Sequence, residues 1–133
     1  MTIERQDITQ DFYQGNNKEI SITVVDENGD PFVLGADAQI TYVIYNEKTE
    51  AIILRKSTED DGITIPNPTE NVFLIHISSS DTLNLASSTF RHMANVVKNG
   101  YEETVMTGKV NIYRSLAARA KKKTQSGYTK GKS

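Results

Sequence analysis

The sequence predicts an all-β protein: a β-sandwich of about seven or eight strands, followed by a basic C-terminal extension. Apolar residues alternate with polar ones in several short segments, which is typical of half-buried strands. Turn-forming residues separate these segments at intervals of roughly 8–12 residues, as in sandwiches. Residues 1–113 contain no apolar pattern of helical period longer than two turns.

The predicted strands follow from this alternation. Ile20, Ile22 and Val24 alternate with hydroxyl-bearing residues, which places the three aliphatic side chains on one face of a strand. The same reasoning, with enrichment in β-branched and aromatic residues, predicts strands over residues 20–25, 38–45, 51–56, 63–65, 71–78, 89–98 and 101–113.

The connections are predicted from turn residues. Asn28-Gly29 and Asn99-Gly100 are tight-turn signals, because both residue types tolerate a positive φ. Gly108 interrupts the last strand pattern, so we expect a β-bulge there that resets which face points inward. The only helix that the sequence predicts is a marginal one over residues 115–123, with Ser115 as its cap.

Charge is distributed unevenly along the chain. Residues 114–133 contain seven of the fifteen basic residues and no acidic residue. Residues 1–113 therefore hold eight basic and all seventeen acidic residues, which gives this part a formal charge of −9 against +7 for the remainder. We predict two parts: a sandwich over residues 1–113 and a basic C-terminal arm, residues 114–133, that is mobile in isolation.

Few residues suggest chemistry, and we expect no enzyme, metal site or cofactor. The chain has no cysteine, and it lacks the nucleophile-elbow, phosphate-loop and zinc-protease motifs. His76 and His92 are the only histidines, and they could form a metal or catalytic pair if their strands were neighbours. A surface histidine and a satisfied core histidine explain the same pattern more simply.

Two acidic turns are candidate sites. Asp26, Asn28 and Asp30 have the opening spacing of a calcium loop, but Pro31 stands where such a loop requires glycine. A hairpin turn accounts for these residues. Residues 59–61, Glu-Asp-Asp, are interpreted as a solvated turn.

The order of the segments resembles a known family. The N-terminal run Asp7–Phe12 precedes the strand at residues 20–26, the turn Asn28-Gly29-Asp30-Pro31 and the triplet Leu34-Gly35-Ala36. Later come Ser80-Asp81-Thr82-Leu83, an aromatic strand at Phe90 and the closing Gly108-Lys109-Val110-Asn111-Ile112. Over residues 7–113 this is similar to the immunoglobulin-like domains of tailed-phage virion proteins, such as the N-terminal domain of the baseplate upper protein.

The resemblance implies an immunoglobulin-like sandwich with a structural, non-catalytic role in the virion, made in the host cytoplasm. It does not specify whether the neck, tail, baseplate or capsid is the location. Partners would be copies of the chain and other phage structural proteins, with no membrane involved. We expect the arm to bind neighbouring subunits through charge-pairing residues and one apolar anchor, which are Arg114, Arg119, Lys121, Lys122, Lys123 and Leu116.

Two alternatives remain open at this stage. A host-surface glycan-binding module would use exposed aromatic side chains, for which Tyr13, Tyr45 and Tyr101 are the candidates. Nucleic-acid binding by the arm is a less favoured alternative, with Lys121–Lys123 supplying charge and Tyr128 a stacking ring.

Overall fold

A computed structural model of the protein describes residues 3–85 and 88–117. Its named elements are eight strands and one short helix. In chain order they are β1 (Glu4–Arg5), β2 (Lys18–Thr23), β3 (Gln39–Asn46), β4 (Ile52–Ser57), β5 (Ile63–Thr64), β6 (Val72–Ile77), α1 (Ser79–Thr82), β7 (Ser88–Lys98) and β8 (Tyr101–Ile112).

Within these described ranges, the strands form two sheets that pack together. One sheet has five strands in the order β1-β8-β7-β3-β4, and the other has three in the order β2-β6-β5. Strands β1 and β8 run parallel, whereas the other neighbouring pairs are antiparallel. The prediction of an all-β sandwich is confirmed.

The core lies between the two sheets and takes alternate residues from each long strand, because successive side chains of a strand point to opposite faces. In β2 the buried residues are Ile20 and Ile22, as the alternation predicts. The alternation within residues 71–78 and 89–98 predicts the inner faces of β6 and β7 in the same way. The buried residues there are Phe73, Ile75 and Ile77, and Phe90, His92, Ala94 and Val96.

Strand β8 contains a bulge at Val105, where its pairing with β7 shifts by one residue. Val105 and Met106 are consecutive and both buried, because the bulge moves the inner face of β8 by one position. The predicted bulge at Gly108 is wrong, since Gly108 pairs in regular register with His92.

Residues 4–13, here called the N-terminal segment, run parallel to β8 and cover its outer edge. The Gln6 amide donates to the Thr107 carbonyl at 2.9 Å, and the Ile8 amide donates to the Lys109 carbonyl at 2.8 Å. Further along, Tyr13 forms a parallel bridge with Tyr113. An exposed strand edge is a site for unwanted pairing, so this segment protects one side of the larger sheet.

The close approach of this segment explains Gly108. A Cβ atom at position 108 would lie 1.9 Å from the Gln6 carbonyl oxygen, far inside van der Waals contact. Glycine is therefore needed at this position because another backbone passes over it. A glycine inside a strand marks either a bulge or such a close approach, and Gly108 is the second case.

Helix α1 lies in the connection between β6 and β7, where the sequence predicted no helix. The Asp81 carboxylate accepts a hydrogen bond from the Ser78 amide at 2.8 Å, which caps the first turn. The same carboxylate pairs with Lys56 Nζ at 2.7 Å, and both side chains are less than one-fifth exposed. Because Lys56 belongs to β4 of the larger sheet and α1 follows β6 of the smaller one, this ion pair links the two sheets.

We expect Asp81→Asn to lower the free energy of unfolding by about 1–2 kcal/mol, because Lys56 keeps its charge in a partly buried position and loses its partner. Burial raises the pKa of Asp81, but the hydrogen bonds from Lys56 and Ser78 outweigh it and hold the pKa below 3.8. The stabilisation is thus present above pH 3.8 and is lost as the pH falls through the lower folded value.

Urea unfolding at pH 7 measures the effect of Asp81→Asn. The matched control is Glu59→Gln, which removes an exposed carboxylate that lies 3.9 Å from Arg55. Exposed pairs contribute little, so the control should change stability by less than about 0.5 kcal/mol. Equal losses in both variants would contradict an inter-sheet role for the buried pair.

Candidate functional site

The root of the C-terminal arm is fixed to the sandwich at Tyr113. The Tyr113 amide donates to the Phe12 carbonyl at 2.9 Å, and the Tyr113 hydroxyl donates to the Thr9 carbonyl at 2.5 Å. The rings of Tyr13 and Tyr113 pack with their centroids 5.7 Å apart. These contacts set the point from which the arm leaves, at the end of β8.

The first residues of the arm are exposed. Arg114 is exposed, and Leu116, the predicted apolar anchor, is 74% exposed. Leu116 and Ala117 are helical, in line with the beginning of the predicted helix over residues 115–123. The other predicted arm residues, Arg119, Lys121, Lys122 and Lys123, lie outside the described residues.

Three loops meet at the opposite end of β8. The Leu34 amide donates to the Glu70 carbonyl at 3.1 Å, which joins the β2–β3 loop to the β5–β6 loop. Lys98 Nζ donates to the Val33 carbonyl at 2.6 Å, which joins the β2–β3 loop to the β7–β8 turn. We call these three loops, together with residues 101–103 at the start of β8, the acidic end.

The acidic end has a strongly unbalanced charge. Within it, the described chain has seven carboxylates and one basic side chain, Lys98. The carboxylates are those of Asp26, Glu27, Asp30, Asp37, Glu70, Glu102 and Glu103. Strand β8 has 12 residues, so the acidic end and the root of the arm are separated by ~37 Å. The negative charge and the start of the basic arm thus lie at opposite ends of the sandwich.

The two histidines are in different sheets and do not form a pair. His92, on β7, is fully buried: its Nδ1 lies 2.9 Å from the Tyr42 hydroxyl and its Nε2 lies 2.6 Å from the Gln6 carbonyl. A carbonyl only accepts, so Nε2 carries the proton and Nδ1 accepts from Tyr42. Burial lowers the pKa of His92 from 6.5, although the hydrogen bond to Gln6 opposes the shift.

His76 lies on the outer face of β6 in the smaller sheet. Its Nε2 is 2.8 Å from the Thr64 hydroxyl and its Nδ1 is 3.4 Å from a Glu19 carboxylate oxygen. In the part of the chain that the structure describes, no three histidine, aspartate or glutamate side chains are grouped so that they could hold a metal ion.

The acidic turns use their carboxylates to hold backbone. The Asp26 carboxylate accepts from the amides of Asn28 and Asp30 at 2.9 and 3.0 Å, and Val25 pairs with Pro31 across the turn. The Asp60 carboxylate likewise accepts from the amides of Ser57 and Gly62. The hairpin interpretation of the first turn and the turn interpretation of the second agree with these bonds.

The tyrosines considered for glycan binding are not brought together. Tyr101 is 69% exposed beside the acidic end, whereas Tyr13 is 40% exposed at the root of the arm. Tyr45 is partly buried near the end of β3. The structure therefore does not assemble these three rings into one surface.

Sequence reasoning missed a groove beside β2. It has a volume of about 520 Å³, and its two walls are residues 6–10 of the N-terminal segment and residues 18–21 of β2. The first wall is hydrogen-bonded to β8 of the five-stranded sheet, and the second is part of the three-stranded sheet. The N-terminal segment has no alternating pattern, so no local signal predicts where it lies.

None of the described helical residues forms a segment that is long and apolar enough to cross a membrane. No protein-family model matches this chain, and no curated protein sequence matches it significantly.

Proposed function

We propose that this chain is a non-catalytic structural module of a tailed-phage virion, present in many copies, whose basic arm binds the acidic end of a neighbouring copy. The observation that carries the proposal is the separation of charge. A −9 body presents its acidic end ~37 Å from the point where a +7 arm departs. Such a molecule attracts its own copies head to tail.

The same proposal assigns an immunoglobulin-like topology to the sandwich. In such domains, strands B, E and D share one sheet, and G, F and C share the other, with an added C′ strand in variable-type members. The order β2-β6-β5 matches the first set and β8-β7-β3-β4 the second. This match supports the resemblance of residues 7–113 to the immunoglobulin-like domains of tailed-phage virion proteins.

The arm is suited to binding after the copies have met. Leu116 is 74% exposed at its root, and the arm carries its basic residues with no acidic residue among them. A basic segment that orders only when it binds keeps the free chain soluble and delays association until partners are present. The virion is the expected location, and the neck, tail, baseplate and capsid surfaces all fit these features.

Sedimentation velocity of the full chain tests the proposal. We expect association at low ionic strength that weakens by at least about tenfold between 0.05 and 0.5 M salt, because salt screens the attraction between exposed charges. A variant with alanine at Arg114, Arg119, Lys121, Lys122 and Lys123 should be monomeric under both conditions and should enter assembling phage particles poorly.

The matched control exchanges arginine for lysine and lysine for arginine at the same five positions, which keeps the charge. It should associate and enter particles like the natural chain. A natural chain that stays monomeric at low salt would contradict head-to-tail binding. Normal incorporation of the five-alanine variant would contradict a role of the arm in the virion.

A further inference from the structure

Strand β2 has an open edge. Its one side pairs with β6, and the Val24 amide donates to the Asn71 carbonyl at 2.8 Å at the end of this ladder. In an antiparallel pair, alternate residues direct both backbone groups toward the partner strand. Ile20 and Ile22 therefore bond to β6, whereas Glu19, Ser21 and Thr23 direct their N–H and C=O groups outward. Among the described residues, no hydrogen bond reaches these outward groups.

The other sheet edges are protected. The N-terminal segment covers β8, and β5 is only two residues long. On β4, the Asp60 carboxylate binds the Ser57 amide, and the edge carries Arg55 and Lys56. Strand β2 has six residues in unbroken register with β6, with neither a bulge nor a proline. It is thus an edge of the kind that accepts an added strand.

The groove beside β2 accommodates one extended chain. The N-terminal segment, attached to the other sheet, forms its second wall. A second sandwich that approached through its own β2 would bring its own N-terminal segment into the same space. A single extended segment brings no second N-terminal segment with it, and the groove has a volume of about 520 Å³. This geometry favours a lone strand over a symmetric pairing of two β2 edges.

We propose that residues 124–129 of a neighbouring copy's arm add to this edge as an antiparallel strand, with Ser126 opposite Ser21. This inference rests on the proposed function, because it locates the place where the arm binds. Residues 114–133 contain no proline, so every residue of the arm has an N–H donor. The ten residues 114–123 reach up to about 33 Å when fully extended, so the helical backbone at Leu116 and Ala117 opens as the arm crosses the acidic end.

Charge complementarity supports this register. With Ser126 opposite Ser21, Lys121 is level with Asp26 and Lys123 is level with Val24, so the basic triplet meets the turn at the acidic end. A neighbour stacked head to tail releases its arm at that end, next to Thr23. From there the arm runs along β2 toward Glu19, which is the antiparallel direction.

The absence of natural cysteine makes a crosslinking test specific. Chains with Ser21→Cys are mixed with chains that carry Ser126→Cys and are oxidised mildly. Residues in a hydrogen-bonded antiparallel pair have Cα atoms about 5.5 Å apart, within the range of a disulfide. We expect a mixed disulfide-linked dimer that forms at least tenfold faster than with Thr64→Cys, an exposed position on β5 of the same sheet, in place of Ser21→Cys.

A backbone test complements the crosslink. Ser21→Pro removes the central outward N–H without breaking a hydrogen bond to β6. It should weaken association of the full chain at least tenfold, whereas Ser21→Ala should leave it unchanged. Hydrogen exchange at the Ser21 amide of the natural chain should slow at least tenfold on association.

The outcomes separate this inference from the proposed function. Association that requires the arm's basic residues, but ignores Ser21→Pro and crosslinks equally at both cysteine positions, would overturn the added strand and leave head-to-tail binding standing. A further chain that carries both Ser21→Cys and Ser126→Cys identifies the donor: a disulfide that forms within this one chain, and not between chains with one cysteine each, would overturn the neighbouring copy as the donor. A natural chain that never associates would overturn both proposals.

Discussion

Replacing Gly108 with alanine should lower the free energy of unfolding by about 3 kcal/mol. The new methyl group would lie 1.9 Å from the Gln6 carbonyl oxygen, and backbone cannot rotate aside as a flexible side chain does. The N-terminal segment must then lift from β8 and lose its hydrogen bonds to Thr107 and Lys109. Urea unfolding measures the loss, and hydrogen exchange at Gln6 and Ile8 locates it.

Gly29→Ala is the matched control for this substitution. Gly29 has a φ of +83° but nothing within 4 Å of the added carbon, so its cost is backbone strain alone, about 1 kcal/mol. Exchange at Gln6 and Ile8 should stay as slow as in the natural chain. A Gly108→Ala variant with natural stability and slow exchange at these amides would show that the segment does not pack on β8.

Stability should fall as the pH drops below 6.5, because His92 is held neutral inside the fold. Burial lowers the pKa of this imidazole, and the nearby charge of Arg91 adds to the shift, whereas the Gln6 carbonyl and Asp7 oppose it. The unfolded chain therefore binds a proton at a higher pH than the folded chain. The free energy of unfolding should decrease by up to about 1.4 kcal/mol per pH unit from 6.5 down to the folded pKa.

Urea unfolding between pH 8 and pH 5 tests this dependence. His92→Gln removes the titration while keeping a donor for Gln6 and an acceptor for Tyr42, so its stability should change little over this range. His76→Gln removes the other histidine and should keep the slope of the natural chain. A natural chain that is equally stable at pH 8 and pH 5 would contradict the neutral, buried state of His92.

The sequence predicted the strands and their inner faces because these depend on local alternation. Ile20 and Ile22 face inward for the same reason that Phe73 and Ile75 do: side chains two residues apart share a face of a strand. The sequence also indicated that the inward-facing side of the last strand changes along its length. Its position was misassigned because a glycine in a strand pattern indicates either a bulge or a close backbone neighbour.

The features that the sequence did not predict depend on contacts between residues far apart in the chain. Gln6 meets Thr107 and His92 only after folding, and no periodic pattern in residues 4–13 signals this. The separation of His76 from His92 likewise depends on which sheet each strand joins. The groove beside β2 follows from both facts, so local pattern could not reveal it. The distribution of charge along the chain, in contrast, follows directly from the sequence, and it is the basis of the proposed function.

The parallel contact between β1 and β8 has a consequence for how this chain is made. Glu4 pairs with Met106, so β1 must wait until about a hundred further residues have left the ribosome before its partner strand is available. Pairing across so many residues is slow, because a long loop must close before any contact forms. Until β8 has emerged, the β7 edge of the larger sheet is unpaired, and an unpaired strand edge promotes aggregation.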